Sequence, residues 1–234
     1  MTGIIGAMPE ELEELLAILE SREDLCLTGL EVCRGRLEGE PVLLARCGIG
    51  KVNAAALTQL LIGQGAQRII FTGVAGALAP GLGIGDIVIG TDAIQHDLDV
   101  TALGYAPGQV PGEPFSWPSD PELVALARRA AEGRKGARVI LGRIASGDQF
   151  IASPERARAL HERFGATCAE MEGAAVAQVC NRAQVPFVII RSISDSADGA
   201  AELNFREFTP LAARRAKSLV REMCRRLPGP THLN

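Results

Sequence analysis

The sequence predicts an α/β fold: one domain on a central, mixed and mainly parallel β-sheet flanked by helices. Three observations predict it. Apolar runs of strand length recur along the whole chain, and most are followed by segments of helical periodicity, so that strand and helix alternate. Nearly half of the 234 residues are apolar (47%), enough for one large core. No internal repeat, low-complexity segment or linker divides the chain, so the expected domain spans residues 1–234, with 228–234 a frayed tail.

The elements follow in order. GIIGAM, from Gly3 to Met8, is a short buried strand, and Pro9 opens a helix whose Leu12, Leu15, Leu16 and Leu19 share a face. Residues 25–47 alternate apolar runs with turns and read as a meander. CGIGKVNAAALTQLLIGQG is a glycine turn opening a helix. It is no Walker A loop, because Ala45 stands where the first glycine is needed and Val52 where Ser or Thr is needed. RIIFTGVAGAL (Arg68 to Leu78) is a buried strand whose small residues suit either a flat ligand or close strand packing. GLGIGD is a tight connection to the strand DIVIGTDAI; its GxGxG spacing fails as a dinucleotide fingerprint. From His96 to Ser119 runs a long loop with four prolines, Tyr105 and Trp117, whose rare aromatics fit a subunit interface, with a plain solvated loop as the alternative. A helix (PELVALARRAAEG), a strand (ARVILGRIASGDQFI), a helix capped by Ser153, the strand TCAEM, the helix EGAAVAQVCNRAQ and the strand PFVIIRSISD follow. The last helix is expected from Phe205 to Leu227, with Arg214, Arg215, Lys217, Arg221, Arg225 and Arg226 facing out.

Composition excludes several functions. A net charge of −4 argues against a nucleic-acid surface, and the basic face of the last helix reads as a solvated one. The N-terminus turns acidic at once and no run of about eighteen apolar residues occurs, so neither a signal peptide nor a membrane span is expected, and the cytoplasm is the expected compartment. The six cysteines include no CxxC pair and lie far from the three histidines, so no metal is expected and the thiols read as free core residues.

In open α/β sheets ligands bind at the carboxyl ends of strands. Four acids are expected there: Glu11, Glu170, Glu172 and Asp195, accompanied by Arg191 inside an apolar run. Charges in that setting need partners or a function. For Glu11 a plain helix-start role, favoured by the helix dipole, competes with a catalytic one. The set suits acid–base work on a neutral or cationic substrate better than phosphate binding, with a divalent metal on the Asp and Glu oxygens as the alternative.

GIIGAMPEE, CGIGKVNAA, TGVAGAL, HDLDVTALGY, SGDQFI, AEMEGAAVA, IRSISDSAD and LNFREF, in this order and at these spacings, resemble the 5′-methylthioadenosine/S-adenosylhomocysteine nucleosidases of the nucleoside phosphorylase superfamily. The match covers nearly the whole chain up to the last helix. The resemblance implies a nucleoside phosphorylase-like fold and hydrolysis of the bond between adenine and a 5′-thio-substituted ribose, through an oxocarbenium-like transition state and without a cofactor. It makes Asp195 the acid that serves adenine nitrogen 7, aided by Ser194. Glu11 activates water, Glu172 grips the ribose hydroxyls, Met171 packs on the ribose, and Arg191 orients the carboxylates. Phe150 and Ile151 hold adenine. Met8, Ile49 and Phe205 line the thioalkyl side, and Val100, Leu103 and Pro111 are lent by a neighbouring subunit, so a homodimer is implied. Val74 stands where some relatives have serine near the ribose, and Leu103 where an aromatic is common. Glu170 falls back to a structural role. The alternatives are a hydrolase of another adenine nucleoside, such as aminodeoxyfutalosine or AMP, a phosphorylase, and a non-catalytic nucleoside-binding protein. A carboxylate at Glu11 would repel phosphate, which favours water as nucleophile.

Overall fold

A computed structural model describes residues 1–133, 136–195 and 201–227. The strands are β1 (Thr2–Gly6), β2 (Glu20–Leu27), β3 (Leu30–Leu37), β4 (Glu40–Arg46), β5 (Arg68–Ala77), β6 (Ile87–Gln95), β7 (Trp117–Pro118), β8 (Val139–Ser146), β9 (Ala166–Glu170) and β10 (Phe187–Asp195). The helices are α1 (Pro9–Ala17), α2 (Lys51–Gly63), α3 (Pro121–Ala131), α4 (Pro154–Phe164), α5 (Gly173–Ala183) and α6 (Ala201–Arg226). β1 stops at Gly6, short of the apolar run that predicts it, because the amides of Ala7 and Met8 donate to the Glu11 carboxylate instead of a neighbouring strand.

The sheet is mixed, as the sequence predicts. β1 lies between β4 and β5, parallel to both, and β2, β3 and β4 form the expected antiparallel meander at one edge. β5 is also parallel to β10, which pairs antiparallel with β6; β6, β8 and β9 then run parallel. β9 finally pairs antiparallel with β5 through Gly76↔Ala169 and Ala77↔Cys168. Five strands thus close into a ring that shares β5 with the open part of the sheet. Gly76 is the closing point, since it also faces Asp195 of β10.

Alternate residues of the central strands feed opposite cores. Ile5, Phe71 and Ile189 pack with α2 and α5 on one face, while Ile4, Ile70, Val188 and Ile190 pack with α1, α3 and α6 on the other. Local chemistry sets the helix starts: Asp120 Oδ1 accepts the Leu123 amide at 2.9 Å, and Ser153 Oγ accepts the Arg156 amide at 3.4 Å.

Three sequence expectations need correction. The last helix begins one turn earlier, at Ala201. Lys217 does not face solvent: it is buried, with Nζ 3.5 Å from Glu14 Oε1, because α1 packs over this part of α6. Trp117 is no interface aromatic either. β7 hydrogen-bonds to β6 and delivers the indole into the core, while Tyr105 is half-buried in the loop. Arg221 and Arg225 pair with Glu38, so this part of the α6 basic face is neutralised within the chain. The tail 228–234 lies outside the described residues. No described helix is long and apolar enough to cross a membrane.

Candidate active site

The carboxyl ends of β1, β5, β9 and β10 bring Glu11, Glu170, Glu172, Arg191 and Asp195 into one buried group. Each is delivered by a different local device. Glu11 is the third residue of α1, where its carboxylate accepts the Met8 amide at 2.9 Å as one half of a capping box. The same carboxylate also accepts the amides of Ala7 (2.6 Å) and Val74 (3.0 Å), which fixes it above β5. The helix-start reading of Glu11 therefore holds, and the same helix start aims the side chain at the buried group. Room for the side chain comes from Gly73, where a Cβ would clash with Glu11 Oε1 and lie 2.9 Å from Arg191 Nη1. Close packing of charged side chains, rather than of strands alone, explains this small residue in TGVAG.

Arg191 is buried over the Phe71 ring, 4.0 Å from its centroid. Its Nε donates to Glu170 Oε2 at 3.2 Å and Nη2 meets the same oxygen. Glu170 further accepts the Gly173 amide at 2.8 Å and the Ser146 hydroxyl. The structural role expected for Glu170 is thus that of counter-ion, one reason Arg191 tolerates its apolar strand. Glu172 precedes α5 and accepts the Gly50 amide at 2.9 Å from across the site.

Three carboxylates around one guanidinium leave an excess of negative charge. Burial pushes the Glu11 carboxyl above the ordinary glutamate range, against the pull of Arg191 and its three amide donors. Burial, then the Glu170 charge, also push Glu172 up. Burial opposes the Arg191 charge, and Glu170, Glu11 and Glu172 more than offset it. Carboxylates grouped in this way favour a developing positive charge over an anion.

Asp195 ends β10 at a bulge: Ile193 faces Ala75 but Asp195 faces Gly76, so Ser194 is the extra residue and the carboxylate is re-aimed. Ser194 is buried, with Oγ 2.9 Å from Asp195 Oδ2. Beside Asp195 a small pocket is lined by Gly76, Phe150, Ile151, Glu170 and Met171. Phe150 stands edge-on to Phe205 with centroids 5.6 Å apart, and Phe205 packs with Met8 and Val74. Val74 contributes its backbone amide to Glu11, a bond that needs no side-chain hydroxyl. Ile49 is exposed on a groove with Met8, Cys47 and Arg46. Val100, Leu103 and Pro111 lie on the His96–Ser119 segment outside this group, with Leu103 73% exposed and Pro111 exposed. Sequence reasoning missed Gly50, Gly73, Phe71 and Ser146; only the glycines left a signal, as small residues beside a strand end. Among the described residues no His, Cys, Asp or Glu cluster has metal-site geometry.

Comparison with known proteins agrees with this architecture. The family model described as the phosphorylase superfamily matches residues 2–225. A 5′-methylthioadenosine/S-adenosylhomocysteine nucleosidase of Geobacillus thermodenitrificans is 44% identical over 223 residues, covering 94% of each chain. The crystal structure of the Neisseria meningitidis enzyme of that name, in complex with methylthio-immucillin-A, superposes with a TM-score of 0.94 at 43% identity, over 97% of this chain and 99% of that one. Futalosine hydrolase of Helicobacter pylori superposes with a TM-score of 0.91 at 34% identity, over 97% of both chains.

Proposed function

The chain belongs to the phosphorylase superfamily, and within it to the 5′-methylthioadenosine/S-adenosylhomocysteine nucleosidases, and we propose accordingly that it hydrolyses the N-glycosidic bond of these two nucleosides, releasing adenine and the thioribose. The observation that carries this reading is the buried acidic excess around Arg191, whose direct ion-pair partner is Glu170. A site so charged stabilises a cationic sugar and repels phosphate, so water is the nucleophile.

In this reading adenine enters the pocket beside Phe150 and Ile151, Asp195 with Ser194 protonates or hydrogen-bonds its nitrogen 7, and the bond between nitrogen 9 and the anomeric carbon breaks. Glu172 holds the ribose hydroxyls and Met171 packs on the ring. Glu11 takes a proton from the water that attacks the anomeric carbon, and Arg191 with Glu170 fixes the electrostatic balance. Met8, Ile49, Phe205 and Val74 line the sulfur side. The exposed apolar Leu103 and Ile49 support a homodimer in which Val100, Leu103 and Pro111 complete the neighbour's pocket. Six free cysteines fit a reducing cytoplasm, and the products suit salvage of adenine and methionine. The whole chain acts as one nucleosidase domain.

The deciding experiment is adenine release from methylthioadenosine in phosphate-free buffer. Release that requires phosphate, with a ribose 1-phosphate product, makes the protein a phosphorylase. Binding without release makes it a binding protein, and a strong preference for aminodeoxyfutalosine, which the likeness to futalosine hydrolase keeps in view, moves it to that hydrolase.

A further inference from the structure

Three residues outside the catalytic group, Lys51, Asp97 and Asp148, close a ring of hydrogen bonds. Lys51 Nζ donates to Asp97 Oδ1 at 2.6 Å, the Asp148 amide donates to Asp97 Oδ2 at 2.9 Å, and the Lys51 amide donates to Asp148 Oδ1 at 2.8 Å. Lys51 is the first residue of α2, Asp97 follows β6 and Asp148 follows β8. Lys51 Nζ also reaches Gln95 Oε1 at 3.0 Å, and Gln95 donates onward to Gln178 of α5, the helix that begins beside Glu172. Exposed ion pairs contribute little; this one is largely shielded, with side chains 17% and 12% exposed.

The ring has a neighbour whose backbone only glycine adopts freely. Gly50 sits at φ 100°, ψ 157°, a conformation almost confined to glycine, and a Cβ there would stand 3.2 Å from Asp148 Oδ1. Glycine leaves many other backbone conformations open at this point, and the ring narrows them by holding the next residue at both its amide and its ammonium. The Gly50 amide is the donor to Glu172. We propose that Lys51, Asp97 and Asp148 are positioning residues that hold the Gly50 amide against Glu172 and so set the grip on the sugar. This rests on the role of Glu172 proposed above.

A carboxylate that loses an amide donor becomes easier to protonate. The charged and titratable groups facing Glu172 are Glu170, Arg191, Glu11 and Cys47, and those in and beside the ring are Lys51, Asp97, Asp148 and His96. Steady-state kinetics with methylthioadenosine across pH, normalised to folded protein, test the proposal in Lys51→Met, Asp97→Asn and Lys51→Arg. Lys51→Met and Asp97→Asn should lose about 10- to 100-fold in kcat, as expected for a misplaced group, with a smaller change in KM. Their acid limb should move to higher pH, and Lys51→Arg, which keeps the charge, should restore both. Should Lys51→Met not fold, the nearly isosteric Asp97→Asn carries the same test. Normalised rates that stay at the wild-type level, or losses with the acid limb unmoved, overturn the proposal and leave the nucleosidase reading intact. A wild-type enzyme that releases no adenine overturns both.

Discussion

Gly73 and Glu11 are in close approach: a Cβ on the glycine would clash with the carboxylate oxygen of the glutamate. Gly73→Ala must therefore push Glu11 away from the Val74 amide or displace Arg191. Turnover should fall by about 100-fold, the scale of one misplaced acid–base group, while adenine binding beside Asp195 changes little. Calorimetry with adenine alongside initial rates measures both; an alanine variant of normal turnover would separate Glu11 from the reaction.

Replacing Glu170 by Gln tests the counter-ion role. Both members of the pair are almost fully buried, and breaking such a pair costs about 3–5 kcal/mol because the remaining charge stays uncompensated. For a chain of this size the melting temperature should drop by on the order of 10 °C. A thermal scan with no drop would mean that Glu11 or Glu172 takes over as partner.

Activity and stability should run in opposite directions with pH at Glu11. Burial raises its pKa above the ordinary value near 4.5. To accept a proton from water it must be ionised, so kcat/KM should fall as pH drops through the raised value, with an acid limb above the ordinary carboxylate range. A carboxyl whose folded pKa is raised stabilises the fold when protonated; that contribution is full below about 4.5 and is lost as pH rises through the raised value. A pH–rate profile flat down to pH 4.5 would count against Glu11 as the base.

Leu103 offers the test of the dimer. Burying a leucine contributes about 1.5–3 kcal/mol, and twofold symmetry counts it twice. Leu103→Asp should therefore weaken association by roughly 100-fold or more and lower activity at dilute concentration. Sedimentation of the unaltered protein as a fully active monomer would sink the shared pocket.

Strand and helix alternation was legible in the sequence because its signals are local. Glu11 was legible only as two alternatives, since the Met8 amide bond of a helix start is local and the Val74 amide bond is not. The ring of strands left no trace, because it closes through two residue pairs far apart in the chain. Lys217 defeated helical periodicity because α1 covers its face and supplies Glu14. Trp117 defeated an argument from rarity, as a two-residue strand carries it inward.

The closing point at Gly76 has a consequence for how the protein gains activity. Gly76 meets Ala169 on one side and Asp195 on the other, both about half the chain away, and contacts so distant along the sequence are slow to form. Helices and the β2–β4 meander need no such closure. During refolding the recovery of catalysis should trail the recovery of secondary structure, so that turnover serves as the reporter of the last long-range strand pairing.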